Sequence, residues 1–200
     1  MVLRGPTLTL RPPTPDDAHA LLSLAGDHRV TQWFSWGPYK TVEEPLAYIE
    51  RLEVQRASGE QLDLLAVHRN AGPVGITGLS EFSGRNRHCM VGTWFGKDFW
   101  GTGMNRESKA LMAHLAFVLL GQNRLGSYSN PHNVRSTRAL EGVGFTREGV
   151  LRQWHRHGEE YLDVNVFGML RSEWEAGALK REFPVEFEGE LPPAFLPGDA

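Results

Sequence analysis

At 200 residues and 22.4 kDa, the chain is long enough to bury one substantial core. Hydrophobic residues at 40% and charged residues at 22% are ordinary globular proportions, so neither a disordered chain nor a coiled coil fits the whole. The balance of 21 basic against 24 acidic residues leaves no positive field to hold a nucleic-acid backbone. A single cysteine, Cys89, excludes an internal disulfide or a multi-cysteine metal site. The segment Met1–Pro6 has no signal-peptide core, and the longest apolar run, Leu111–Leu120, is interrupted by His114 and too short to span a bilayer. The expectation is a cytoplasmic protein with no membrane or nucleic-acid partner.

Thr7–Arg11 alternates apolar and polar residues as a half-buried strand does, until Pro12 and Pro13 end the pattern. A helix is expected from Asp16 or Asp17, with Ala18, Leu21, Leu22 and Ala25 on one face. Thr41–Glu44 reads as a capping box followed by Pro45 in the first turn, which directs Leu46, Ile49 and Leu52 inward. Leu62–His68 and Val74–Leu79 flank the turn Asn70–Pro73 and form a hairpin, and Cys89–Phe95 follows as a third strand.

The apolar period then changes. Leu111, Met112, Leu115, Leu119 and Leu120 fit a buried helix from Asn105 to Leu120, stopped by Gly121. A short strand at Arg124–Ser129, a helix at Val134–Glu141 capped by Asn133, and strands at Phe145–Leu151 and Tyr161–Leu170 complete the core. Antiparallel hairpins interrupted by crossing helices imply an α+β class with one mixed central sheet over residues 1–176. Residues 177–200 carry an acidic, proline-rich composition and are expected to form a weakly ordered tail.

Trp100-Gly-Thr-Gly-Met-Asn105 lies between a strand and a long helix, where two glycines let successive N–H groups converge on one anion. A Walker A loop is ruled out because Thr102 and Gly103, rather than Lys and Ser or Thr, follow Gly101. A dinucleotide fingerprint is ruled out because Arg106 stands where its third glycine belongs.

Four blocks in order carry a more specific signal: Val91-Gly-Thr-Trp-Phe95; Phe99-Trp-Gly-Thr-Gly103; Asn133-Val-Arg-Ser136 leading to Ala139-Leu-Glu-Gly-Val-Gly-Phe145; and Arg147-Glu-Gly-Val-Leu-Arg152. With these the chain resembles the GCN5-related N-acetyltransferases (GNAT), in particular the RimJ/RimL branch that acetylates N-termini of ribosomal proteins. The resemblance implies a GNAT fold whose sheet splays after Val91–Phe95 to admit the pantetheine arm of acetyl-CoA as a pseudo-strand. It implies a pyrophosphate loop at Trp100, Gly101, Thr102, Gly103, Met104 and Asn105, and Asn133 contacting pantetheine; Arg106 and Lys109 lie close by on the helix, as cations for an anionic ligand or as solvated helix residues. Trp100 and Asn105 depart from the family's usual loop residues. The resemblance also allows a homodimer.

Acetyl transfer to an amine needs a neutral nucleophile, a polarised thioester carbonyl and a tolerable leaving thiolate. Backbone N–H groups around Trp94 and Phe95 are the expected oxyanion donors. The tyrosine that many relatives use as acid is Leu140 here; Ser136, three residues after Asn133, resembles a serine of the RimL-type pattern, which implies either a hydrogen-bond donor to the departing sulfur or a polar residue of the helix's first turn. The glutamate often found in the cofactor strand is Met90 here; the first choice of base is His155, just past the strand that ends near Arg152, the second is Glu81 on the preceding hairpin and the third is a water chain to bulk. Trp33, Trp36, Tyr39 and Trp154 are expected to shape an acceptor slot. His155 and His157 share strand spacing, but no cysteine or carboxylate cluster accompanies them and no metal is expected. The acceptor expected from the resemblance is a protein N-terminal α-amine. Small-molecule amines (an antibiotic, a polyamine or an amino acid) are the alternative within enzymes, and a non-catalytic acyl-CoA-binding module is the alternative outside them.

Overall fold

The alternating segments assemble into one sheet. The computed structural model describes residues 1–196, and among them nine strands lie in the order β7-β8-β6-β5-β4-β3-β2-β1-β9. They are β1 (Val2–Arg4), β2 (Leu8–Arg11), β3 (Gln61–His68), β4 (Gly72–Ser83), β5 (His88–Phe95), β6 (Arg124–Ser129), β7 (Thr146–His157), β8 (Glu160–Leu170) and β9 (Glu186–Glu188). Every neighbouring pair is antiparallel except β5 and β6. This is the mixed α+β sheet expected.

Helices cover both faces. On one, α1 (Ala18–Ala25) and α3 (Glu43–Ser58) close over Leu65 and Ile76 with Leu21 and Ile49; the short α2 (His28–Thr31) lies between them in the chain. Glu44 accepts from the Thr41 amide at 3.0 Å, as a capping-box acid does. Leu46, however, is 37% exposed, and Pro45, Ile49 and Leu52 form the buried stripe. Ile49 and Leu52 thus face inward as expected, and Pro45 takes the place expected of Leu46.

On the other face lies α4 (Met104–His114), which runs on through a π-helical turn at Leu115–Leu119, so the long helix expected over 105–120 is present with one wider turn. Helix α5 (Val134–Gly142) follows β6, with Asn133 accepting from the Ser136 amide at 3.2 Å as its N-cap.

The segment expected to be a loose tail is instead part of the fold. After α6 (Arg171–Ala176), α7 (Ala178–Glu182) buries Leu179, β9 pairs with β1, and Phe195 is buried against Phe82 at 4.8 Å between ring centroids. Its acidic composition hid three apolar anchors spaced along it; residues 197–200 of that segment lie outside the described residues.

Candidate active site

The site begins where the parallel pair stops. β5 and β6 are in register only from His88 and Arg124 to Met90 and Gly126. One further tie, the Ser127 hydroxyl donating to the Val91 carbonyl at 2.8 Å, closes the apex, and beyond it the two strands share no pairing. The backbone of Gly96 donates to Val74 on β4 at 2.9 Å, so alternation turns Trp94 and Gly92 toward β4 and Val91, Thr93 and Phe95 toward β6. The Trp100 indole confirms this by donating to the Phe95 carbonyl at 2.8 Å from the open side. Of the two residues expected to present amides to the gap, Phe95 does and Trp94 does not. Trp94 contributes its ring, edge-on to Trp36 at 5.7 Å, and Thr93 takes its place as the second gap-facing amide.

This gap opens into a cavity of about 620 Å³, within the roughly 300–1,000 Å³ of small-molecule sites. At one end lies the glycine loop. Gly101 and Gly103 hold φ of +75° and +88°, which only glycine adopts without strain. The amides of residues 101–105 donate to no acceptor among the described residues, and they sit at the N-terminus of α4. Five free N–H groups at the positive end of a helix dipole make an anion dock.

Most of the expected donor-site residues line this cavity: Trp94, Phe95, Trp100, Gly101, Gly103, Asn105, Arg106 and Asn133. The side chains of Thr102 and Met104 do not. Thr102 donates to the Phe99 carbonyl at 2.7 Å, and Met104 packs on the core. Arg106 is not a free cation at the loop, because Glu182 on α7 accepts from it at 2.5 Å and Gly142 O at 2.6 Å. A second arginine that sequence reasoning passed over, Arg135, lies 3.3 Å over the Trp100 ring, and burial lowers its pKa.

At the other end Ser136 and His155 line the cavity, and Glu81 does not. Glu81 reaches it indirectly by accepting from the Tyr128 hydroxyl at 3.2 Å, and Tyr128 packs edge-on to His155 at 5.6 Å. Burial, with Glu81 beside it, pushes the Tyr128 phenol up to about 12. Burial and then His157 lower the His155 pKa, against an opposing pull from Glu81, so the imidazole is neutral at pH 7 and able to accept a proton. The loop expected at Gln153–Glu160 is mostly strand. β7 continues to His157 through a bulge at Gln153, whose φ is +51° and whose amide donates to Asp163 at 2.8 Å. Among the described residues, no group of three or more His, Cys, Asp or Glu is disposed to hold a metal ion.

Lys109, expected as a cation beside the glycine loop, is instead a buried group that faces the gap from below. Lys109 on α4 is 4% exposed, lines the cavity, and donates to the Thr93 hydroxyl.

The model of the acetyltransferase (GNAT) domain matches residues 7–146 of the chain. The chain belongs to the GNAT family. It is therefore an acyl-CoA-dependent N-acetyltransferase, and the gap between β5 and β6 is the GNAT splay. An N-acetyltransferase of Bacillus licheniformis, p20, uncharacterised by its own name, is 25% identical over 84% of this chain and 94% of its own. Mycobacterium smegmatis RimJ, solved with CoA-disulfide, shares the fold with a TM-score of 0.80 at 21% identity, covering 90% of this chain and 91% of its own. Spermidine N-acetyltransferase from Vibrio cholerae, solved with CoA and spermine, has a TM-score of 0.72 at 18% identity over 84% and 98%. Both solved structures share this GNAT scaffold.

Proposed function

We propose that this GNAT transfers the acetyl group of acetyl-CoA to the α-amine of a protein or peptide N-terminus, a ribosomal protein being the partner that the RimJ/RimL resemblance implies, and that it works in the cytoplasm. The observation that carries the reading is the acceptor wall. It presents Trp33, Phe34, Trp36, Trp154 and His155, and no Asp or Glu is among the residues lining the cavity. A polyamine carries several positive charges and needs carboxylates to replace its water. A peptide terminus brings one amine followed by an uncharged backbone, which suits aromatic walls with one polar end.

In this reading the amides of residues 101–105 hold the pyrophosphate of acetyl-CoA, and Thr93 and Phe95 pair with the arm. Asn133 fixes the start of α5 beside it. The Ser136 hydroxyl has no hydrogen-bond partner among the described residues and is free to donate to the sulfur. His155 takes the proton from the acceptor ammonium, and the released amine attacks the thioester held next to it.

The test is mass spectrometry of peptides with free N-termini, and of spermine, each incubated with the protein and acetyl-CoA. Acetylation of peptide α-amines and not of spermine is expected; the reverse preference overturns the acceptor assignment. With an accepted peptide, His155→Ala is expected to lower kcat/KM by about 100-fold. It should also remove the fall in rate on the acid side, which wild type shows below the ordinary imidazole pKa because its His155 pKa is lowered. A pH–rate profile that keeps this acid limb in the variant excludes His155 as the base.

A further inference from the structure

The position at which many GNAT relatives carry an acidic hydroxyl is Leu140, and the cavity offers few substitutes. Ser127 is committed to the Val91 carbonyl, Ser129 to Thr137 at 3.1 Å, and Tyr128 to Glu81 on the acceptor side. Lys109 remains. Its ammonium is buried and has no carboxylate partner among the described residues. The cost of burying an unpaired ammonium is high, so a lysine kept in such a place invites a functional explanation.

Its location supplies one. Lys109 donates to the Thr93 hydroxyl, which lies 2.7 Å from the Thr77 hydroxyl, and both hydroxyls bond the Gly92 carbonyl. Thr93 is two residues from Val91, where Ser127 closes the apex of the gap. An arm that enters past the glycine loop and runs along Phe95 and Thr93 brings its reactive end to that apex.

We propose that Lys109 is the proton donor to the departing sulfur of CoA. The proposal rests on the gap being the acyl-donor site. The acceptor amine forms its bond to the acetyl carbon, the carbon–sulfur bond breaks with its electron pair on sulfur, and the Lys109 ammonium gives that sulfur a proton. The neutral Lys109 amine then regains a proton equivalent to the one the acceptor nitrogen has lost, which leaves an amide, free CoA and the original lysinium. Burial lowers the Lys109 pKa to about 7, and an anionic sulfur beside the ammonium raises it again while lowering that of the thiol from its ordinary roughly 8.5, so the two become close enough for the proton to pass from nitrogen to sulfur. The charged or titratable groups that share the cavity with it are Arg106, Tyr128, Arg135, Arg138, His155, Arg156 and His157. From the sheet it meets the Thr93 hydroxyl, which in turn contacts that of Thr77. No neighbour in the cavity neutralises it, and an anionic sulfur is the partner its surroundings lack.

The experiment is an ultraviolet titration of the thiol of CoA bound to wild type, to Lys109→Met and to Lys109→Arg, read as thiolate absorbance. Lys109→Met keeps the unbranched stem and removes a buried charge, so it is expected to fold with a Tm at or above that of wild type. In wild type the bound thiol is expected to titrate about one unit or more below its value in the Lys109→Met complex. With an accepted peptide, Lys109→Met and Lys109→Arg are both expected to lose at least about tenfold in kcat with little change in the KM for acetyl-CoA, since arginine keeps the charge but cannot release a proton. Equal thiol titrations in wild type and Lys109→Met, or a loss confined to KM, overturn the role of Lys109 while leaving the acyl-CoA site intact. Failure of wild type to bind CoA at all overturns the site assignment, and this role with it.

Discussion

Gly103→Val is expected to weaken acetyl-CoA binding by about 100-fold while leaving the protein folded. Gly103 precedes α4 with φ +88° and ψ −17°, a conformation that costs a β-branched residue about 1–3 kcal/mol. A Cβ there meets nothing within 4 Å, so the penalty lies in the backbone and not in packing. The loop relieves it by returning φ to negative values, which rotates the neighbouring amides away from their common focus. Loss of two hydrogen bonds to a charged phosphate, at about 1.5 kcal/mol each, amounts to about 3 kcal/mol, or about 100-fold in Kd. Titration calorimetry with acetyl-CoA measures it, and far-ultraviolet dichroism checks the fold. A variant that binds within about threefold of wild type shows that the loop is not the anion dock.

The second large effect concerns Glu107, one turn further along α4 and almost fully buried. Its carboxylate accepts from the Thr7 amide at 2.7 Å, the Thr7 hydroxyl at 2.5 Å and the Leu8 amide at 2.8 Å, which pins the start of β2 to the helix that carries the glycine loop. Glu107→Ala strands these donors, two of them backbone amides, at a cost of about 3 kcal/mol. For a chain of this size that corresponds to a fall in Tm of about 10 °C. Glu107→Gln retains one acceptor oxygen and is expected to lose less than half as much. Thermal unfolding of the two variants separates this anchor from a solvated helix residue, for which both changes would be within about 0.5 kcal/mol of wild type.

Glu107 and Lys109 also show where the sequence stopped being informative. The strands and hairpins from Leu62 to Phe95 were legible because alternation and turn residues are local signals, and the glycine loop because two positive-φ positions precede a helix. On α4, by contrast, every residue from Glu107 to Ala113 is buried. Such a helix is enclosed on more than one side, and periodicity registers only one. The element near its outer side is α7, joined to it by Arg106 and Glu182, and α7 lies in the segment whose acidic composition reads as a tail. Missing that packing made Arg106 and Lys109 look like a pair of free surface cations, when one is tied to a carboxylate and the other is buried under the gap.

The acceptor side was legible only in its residue types. His155 was placed beyond the end of a strand, and the bulge at Gln153 that carries the strand past it depends on Asp163, ten residues away on the partner strand. Glu81 was named for a role that it meets only through Tyr128, because its positive φ of +51° sits in an irregularity between β4 and β5 that no turn motif announces. Pairings between distant segments decide such positions, and a single sequence does not display them.

The most direct measurement is a crystal structure of the protein with bound CoA. The expected complex has the pyrophosphate on the amides of residues 101–105, the arm paired with Thr93 and Phe95 between β5 and β6, and the sulfur near Lys109 and Ser136. CoA bound outside that gap, or with its sulfur turned away from the apex closed by Ser127, would contradict the account.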